Sequence, residues 1–111
     1  MAGKFVITKG KDGKYYFNLK AGNGEVILTS QGYKASADCM NGIESAKKNS
    51  ADEARFEVKK SNDGKDYFVL TSTNGQTIGK SQMYKSDSGC RNGMKSVASS
   101  SAAASIVDES A

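Results

Sequence analysis

Cys39 and Cys90 are the residues of this sequence best suited by type to nucleophilic or redox chemistry. A reactive thiol needs a lowered pKa, supplied by an imidazole, a cation or a helix N-terminus. The chain contains no His, so it holds no Cys-His or Ser-His pair and no His-ligated metal. Two thiols without further ligands make neither a zinc site nor a disulfide framework, and they fit a reducing compartment. Apolar spacing puts both on the packed face of a helix, where a free thiol behaves as a small hydrophobe. The packing role is therefore preferred, and no catalytic residue, metal site or cofactor is assigned.

Other groupings offer binding rather than catalysis. Asp12-Gly13-Lys14 and Asn23-Gly24 lack the glycine spacing of a phosphate-cradling loop and lead into no helix. Hairpin turns account for them. Asp12 and Asp63 belong to separate turns, which argues against a paired-carboxylate site. Tyr16, Lys20 and Tyr67 alternate away from the apolar side of their strands. Aromatics among basic residues on an open sheet face can stack bases, although tyrosine is also an ordinary strand residue. Asn41 and Asn92 fall opposite the apolar side of their helices, either to bond a nearby loop or to contact a partner. These five residues form the speculative binding surface.

What must position them is read from the whole chain. Its 111 residues fit one compact domain, which at this size buries roughly 65% of its unfolded surface. The net charge of +4 comes from 16 basic and 12 acidic residues, interspersed rather than blocked. That is a solvated surface before it is a nucleic-acid footprint. No stretch approaches a membrane span or a signal-peptide core, and Ala2 after Met1 excludes N-myristoylation. A cytoplasmic location is expected by default.

The organising feature is a duplication. Asp12-Gly13-Lys14-Tyr15-Tyr16-Phe17-Asn18-Leu19 returns as Asp63-Gly64-Lys65-Asp66-Tyr67-Phe68-Val69-Leu70. Offset by 51, residues 5–55 align with 56–106 without a gap, and 21 of the 51 pairs are identical. Each copy begins with a short strand, from Phe5 and from Arg55. Asp-Gly then gives a tight turn, and a second strand runs from Lys14 to Lys20 or Lys65 to Thr71. Asn-Gly gives the next turn, followed by a third strand, Glu25 to Gln31 or Gln76 to Gln82. Asp66 replaces Tyr15, which suggests a rim position. A helix follows each meander, over 37–49 with Ser36 as N-cap and over 88–99 with Asp87 as N-cap. Cys39, Gly42, Ile43 and Ala46 share one helix face, as do Cys90, Gly93, Met94 and Val97. A glycine there costs roughly 1 kcal/mol of helix propensity, so it should let the helix lie close to the sheet. Tyr33 and Tyr84 are read as pinning the strand-to-helix turns. Ile106-Val107 aligns with Arg55-Phe56 and predicts a short closing strand.

The pattern Gly-Lys-x-Tyr-Phe-x-Leu, Asn-Gly-x-x-Ile, Gln-x-Tyr-Lys, Cys-x-Asn-Gly-Ile/Met-x-Ser resembles the YegP-like bacterial proteins, in both copies. The resemblance implies β-β-β-α-β repeats that form one sheet by exchanging C-terminal strands, with the helices on one side. It brings no catalytic residues to transfer. Gly89, opposite Asp38, departs from the pattern and suggests a weakened first turn of the second helix.

The expectation is thus an α+β protein, a single domain over 1–111 with repeats 5–55 and 56–106. Two β-β-β-α(-β) units make one antiparallel sheet with both helices on one face. The expected function is a non-catalytic binding or structural module, monomeric as a covalent pseudo-dimer, with no membrane association. The alternative is a weak, sequence-tolerant nucleic-acid binder using the helix-free sheet face.

Overall fold

The structure, a computed structural model, describes residues 3–110; Met1, Ala2 and Ala111, which the 1–111 span includes, lie outside the described residues. Seven strands form one sheet: β1 (Lys4–Lys9), β2 (Tyr15–Lys20), β3 (Val26–Ser30), β4 (Phe56–Lys60), β5 (Asp66–Thr71), β6 (Thr77–Lys80) and β7 (Ser105–Asp108). Helix α1 (Ser36–Asn49) follows β3, and α2 (Asp87–Ala102) follows β6. A short 3-10 turn, Glu53–Arg55, leads into β4. Strand order across the sheet is β4-β5-β6-β3-β2-β1-β7.

Each meander folds locally. Gly13, Gly24, Gly64 and Gly75 take φ between 81° and 87°, where only a residue lacking Cβ is unstrained. The aspartate or asparagine before each glycine caps its turn, as when Asp12 Oδ1 accepts from Lys14 N–H at 3.0 Å. Ser30 and Ser81 then tie the second and third strands together. Their buried hydroxyls accept from Phe17 N–H and Phe68 N–H, both at 2.9 Å, and donate to Gln31 and Gln82 carbonyls.

The two copies join at a pseudo-two-fold axis. β3 and β6 pair antiparallel with Thr29 opposite Lys80, residues 51 apart. The buried hydroxyls of Ser50 and Ser101, also 51 apart, bond each other at 2.5 Å. Phe5, Phe17, Leu19, Ile43, Phe68, Leu70 and Val97 fill one continuous core between sheet and helices.

The sheet is mixed rather than wholly antiparallel, because β7 runs parallel to β1. The physical reason is where α2 ends. The helix crosses from the second meander to the far edge of the first, and its Ser100 lies against Gly3, just before β1. Ser105 N–H donates to Gly3 C=O at 3.3 Å, so the chain leaves the helix at the end where β1 begins. A strand starting there runs in the direction of β1. The exchange of the C-terminal strand is thereby present for β7.

Several local readings shift by one residue or change cause. The helices begin at Ser36 and Asp87, so the N-caps are Ala35, which has no capping side chain, and Ser86, whose Oγ accepts from Gly89 N–H at 3.1 Å. The departure at Gly89 therefore falls in a turn that is capped. Gly42 and Gly93 do not face sheet backbone. A Cβ there would strike the hydroxyl ends of Tyr33 and Tyr84, whose rings stack on Phe17 and Phe68 at 6.3 and 6.2 Å. Those tyrosines do pin the turns: Tyr33 exchanges backbone hydrogen bonds with Tyr15 at 2.7 and 2.8 Å, and Tyr84 does so with Asp66. Asp66 is not an exposed rim residue. It is buried and pairs with Lys60 Nζ at 3.3 Å.

Candidate functional site

The two edges of the sheet begin from equivalent strands and end differently. β1 carries β7 along its outer side, with Phe5 opposite Ile106 and Ile7 opposite Asp108. Among the described residues β4, the copy of β1, pairs only with β5. Ile7 is 0% exposed, while its counterpart Val58 is 37% exposed. Phe5 is fully covered and Phe56 only partly. The chain segment that would flank β4 by symmetry, residues 54–57, is already used to enter β4 itself. Arg55 stands where Ile106 stands, and folds back in the 3-10 turn with Nε 3.5 Å from Asp52 Oδ2.

What remains beside Phe56, at the start of β4, is a groove of about 370 Å³ between α2 and the link that carries Ser50, Ala51 and Glu53. Phe56, Met94 and Ala98 give it apolar walls, and Arg91, Lys95 and Glu53 line its polar part. On the β1 side, Ile106 packs against the core at the equivalent place. The β4 backbone is also unfinished. Phe56 N–H already donates to Glu53 C=O in the 3-10 turn. By the alternation of an antiparallel ladder, Phe56 C=O and both polar groups of Val58 point away from β5. An edge of this kind is a template for another strand, although Lys59 and Lys60 along it discourage indiscriminate pairing.

The thiols sit inside this framework and are not activated. Both are fully buried. Burial pushes Cys39 up to about 11, with the charge of Asp108 adding to it. Burial likewise raises Cys90, with Asp66 and Asp87 adding. A protonated, covered thiol is neither nucleophile nor ligand at neutral pH. Among the described residues no group of three or more His, Cys, Asp or Glu could hold a metal ion.

The family model for a domain of unknown function, DUF1508, matches the chain twice, over residues 11–57 and 61–108. The chain belongs to the DUF1508 family. It is 50% identical over 110 residues to the UPF0339 protein PA0329 of Pseudomonas aeruginosa, covering 99% of this chain and 100% of that protein. It is 45% identical over 95 residues to the UPF0339 protein YegP of Yersinia pestis, covering 86% of this chain and 85% of the other. Two solution NMR structures share the fold. One is the UPF0339 protein SO3888 of Shewanella oneidensis, with TM-score 0.92, 44% identity and 99% and 93% of the two chains covered. The other is yegP of E. coli, a protein of unknown function, with TM-score 0.93, 41% identity and 99% and 95% covered. The YegP-like resemblance is thus the right family, and the α+β tandem architecture is shown.

Within this DUF1508 chain the five candidate residues do not converge. Tyr16, Lys20 and Tyr67 lie on strands β2 and β5, Asn41 and Asn92 on the helices that cover the other face. Tyr16 and Tyr67 are separated by β3 and β6 and sit toward opposite ends of the sheet. The registers put them roughly 20 Å apart at ordinary strand spacing and rise. They cannot stack neighbouring bases. Tyr16 donates its hydroxyl to Asp12 Oδ2 at 2.7 Å, which lowers the Asp12 pKa and raises that of Tyr16. Lys80 Nζ lies 5.7 Å from the Tyr67 ring centroid. Lys20 lines a cleft with Lys4 and Val107 near β7. Asn41 and Asn92 are exposed, and Asn41 borders a cleft of about 470 Å³ facing Asn74 and Gln76.

The groove at β4 was not visible in the identities between copies. Its signal is in the differences. Met40 becomes Arg91, Glu44 becomes Lys95, Lys47 becomes Ala98 and Arg55 becomes Ile106 across the 51-residue offset. These positions cluster where one copy has a flanking strand and the other has none.

Proposed function

We propose that this protein is a small, non-catalytic binding module of the bacterial cytoplasm, which takes up a segment of another protein along the β4 edge. The observation that carries this reading is the contrast between Ile7 and Val58: the first is fully covered and its copy is exposed, on a strand that begins beside a groove with apolar walls and a charged rim. Strand addition to a free edge supplies affinity from main-chain hydrogen bonds and selectivity from side-chain pockets. The absence of His, and thiols held protonated, favour binding over catalysis. The nucleic-acid reading of the helix-free face has less support. Its two tyrosines stand far apart, and Asp12 places a carboxylate beside Tyr16 where a phosphate backbone would pass.

Affinity capture with the intact chain and with Val58→Pro tests the reading. Val58 N–H faces outward, so proline there blocks a guest strand while leaving the ladder to β5 in place. At least one protein should be enriched by the native chain and lost with the variant. Capture that is unchanged in the variant overturns the reading. So does salt-sensitive binding of single-stranded RNA by micromolar protein, followed by fluorescence anisotropy, with no edge-dependent protein capture.

A further inference from the structure

Resting on the edge-binding reading above, we infer that the β4 seat accepts an extended peptide segment parallel to β4, with an apolar residue opposite Phe56 and an acidic residue two positions later. The chain itself displays the occupied form of this seat. On β1, the segment Ser105–Asp108 runs parallel, with Ile106 opposite Phe5 and packed into the core, and Asp108 opposite Ile7. The pseudo-two-fold axis carries that arrangement onto β4, with Phe56 and Val58 in place of Phe5 and Ile7.

The chemistry of the empty seat agrees with such a guest. A side chain in the Ile106 position would meet Phe56, Met94 and Ala98. The main chain would gain bonds to Phe56 C=O and to both polar groups of Val58, as Glu109 N–H bonds Ile7 C=O at 2.8 Å on the other side. The guest residue two places on takes the register position of Asp108, opposite Val58 as Asp108 is opposite Ile7. In the second copy the helix residue after the cysteine is Arg91, in place of Met40. Lys95 replaces Glu44 one turn further along. Against this, Lys47 of the filled seat is lost to Ala98, so the groove lining carries +1 (Arg91, Lys95, Glu53) where the equivalent residues of the filled seat carry 0 (Glu44, Lys47), and acidic character in the guest is favoured by that one charge. Glu53 opposes this on the rim, and Asp87 holds Arg91 Nε at 2.9 Å, but both are exposed and leave Lys95 and a forked guanidinium available. The occupant is a segment of another protein, since the β7 of this chain is already placed on β1.

The test uses the isotope-labelled intact protein and a synthetic peptide with the sequence of residues 103–110. NMR titration should move the amide signals of Val58, Arg91 and Ala98, with fast exchange at submillimolar to millimolar peptide. Replacing the peptide isoleucine by serine, or its aspartate by lysine, should weaken binding at least tenfold, the second effect fading with salt. Val58→Pro should abolish the shifts. Ala98→Phe, which fills the groove and leaves the strand untouched, should abolish them as well, so the result does not depend on one variant folding. Three outcomes overturn the inference. No shifts appear with millimolar peptide, or shifts fall on β1 and β2 because the peptide displaces β7. In the third, β4 signals broaden with protein concentration alone, making a second copy the occupant. If the peptide fails while Val58→Pro still loses a captured protein, the guest chemistry is wrong and the edge reading stands. If capture is also indifferent to Val58→Pro, both fall.

Discussion

β1 and β4 descend from the same repeat position and have had opposite fates. Each is the first strand of its meander, and each presents a phenylalanine and a β-branched residue to the helix side. β1 is an interior strand, because β7 lies beside it. β4 is an edge, because the link from α1 must enter the second repeat directly. The covalent connection that makes one chain of two repeats thereby consumes the segment that would have closed the second side. A duplicated sequence does not guarantee duplicated surroundings, and the surface with a free valence is found where the symmetry fails.

The largest expected effect breaks this comparison at one pair of residues. Ile7→Ala should cost about 3 kcal/mol, the usual toll of emptying a fully buried site, whereas Val58→Ala should cost less than about 1 kcal/mol. Urea denaturation of both variants measures it. Equal costs would mean that β4 is covered in solution.

A half-length chain sharpens the same point. In residues 1–60 the segment 54–57 is free to take the role of β7 against β1 of a second molecule. We propose that the full chain is one folding unit, so this half should fold only as a homodimer with concentration-dependent stability. Arg55 would occupy the Ile106 position there, and Arg55→Ile should tighten the dimer by about tenfold or more through restored apolar burial. Sedimentation of the two forms decides; a folded monomer of 1–60 at low micromolar concentration defeats the idea.

The cysteines extend the comparison to chemistry. Cys39 feels the charge of Asp108 on β7, whereas Cys90 lies on α2, the helix that lines the open groove, so a thiol reagent should label Cys90 first in the native protein, both slowly, and both quickly after denaturation. Cys39 labelling ahead of Cys90 would contradict the covering role of β7. The sign of the pH effect follows from the raised thiols. A folded-state pKa above the unfolded value of about 8.5 gives stability that is fully present below that pH. It is lost as pH climbs through about 11 for Cys39. Thermal melting should therefore drop steeply over that alkaline window, and less steeply in Cys39→Ala.

The smallest expected difference lies at the helix starts. Ser86 caps α2 and Ala35 leaves α1 uncapped. Ser86→Ala should lose about 1 kcal/mol, and Ala35→Ser should recover a similar or smaller amount. Denaturant midpoints moving the other way would show that the caps are not what distinguishes the helices.

The sequence by itself determined what is local and periodic. The 51-residue offset declared the duplication, the Asp-Gly and Asn-Gly pairs set the turns, and the spacing around Cys39 and Cys90 named the buried helix faces. These follow from backbone sterics and side-chain period, which need no knowledge of distant neighbours. Tertiary structure alone decided three things. It put the tyrosine rings, not the sheet backbone, against Gly42 and Gly93. It buried Asp66 at a position that reads as a rim. Above all it gave the outer side of β1 a neighbour, β7, and the outer side of β4 none among the described residues. Two equivalent edges compete for a single closing strand, and the winner is set by where α2 delivers the chain, beside Gly3. The hydrogen bonds that pair segments a hundred residues apart are made by backbone groups that every residue carries, so they do not name the partner strand.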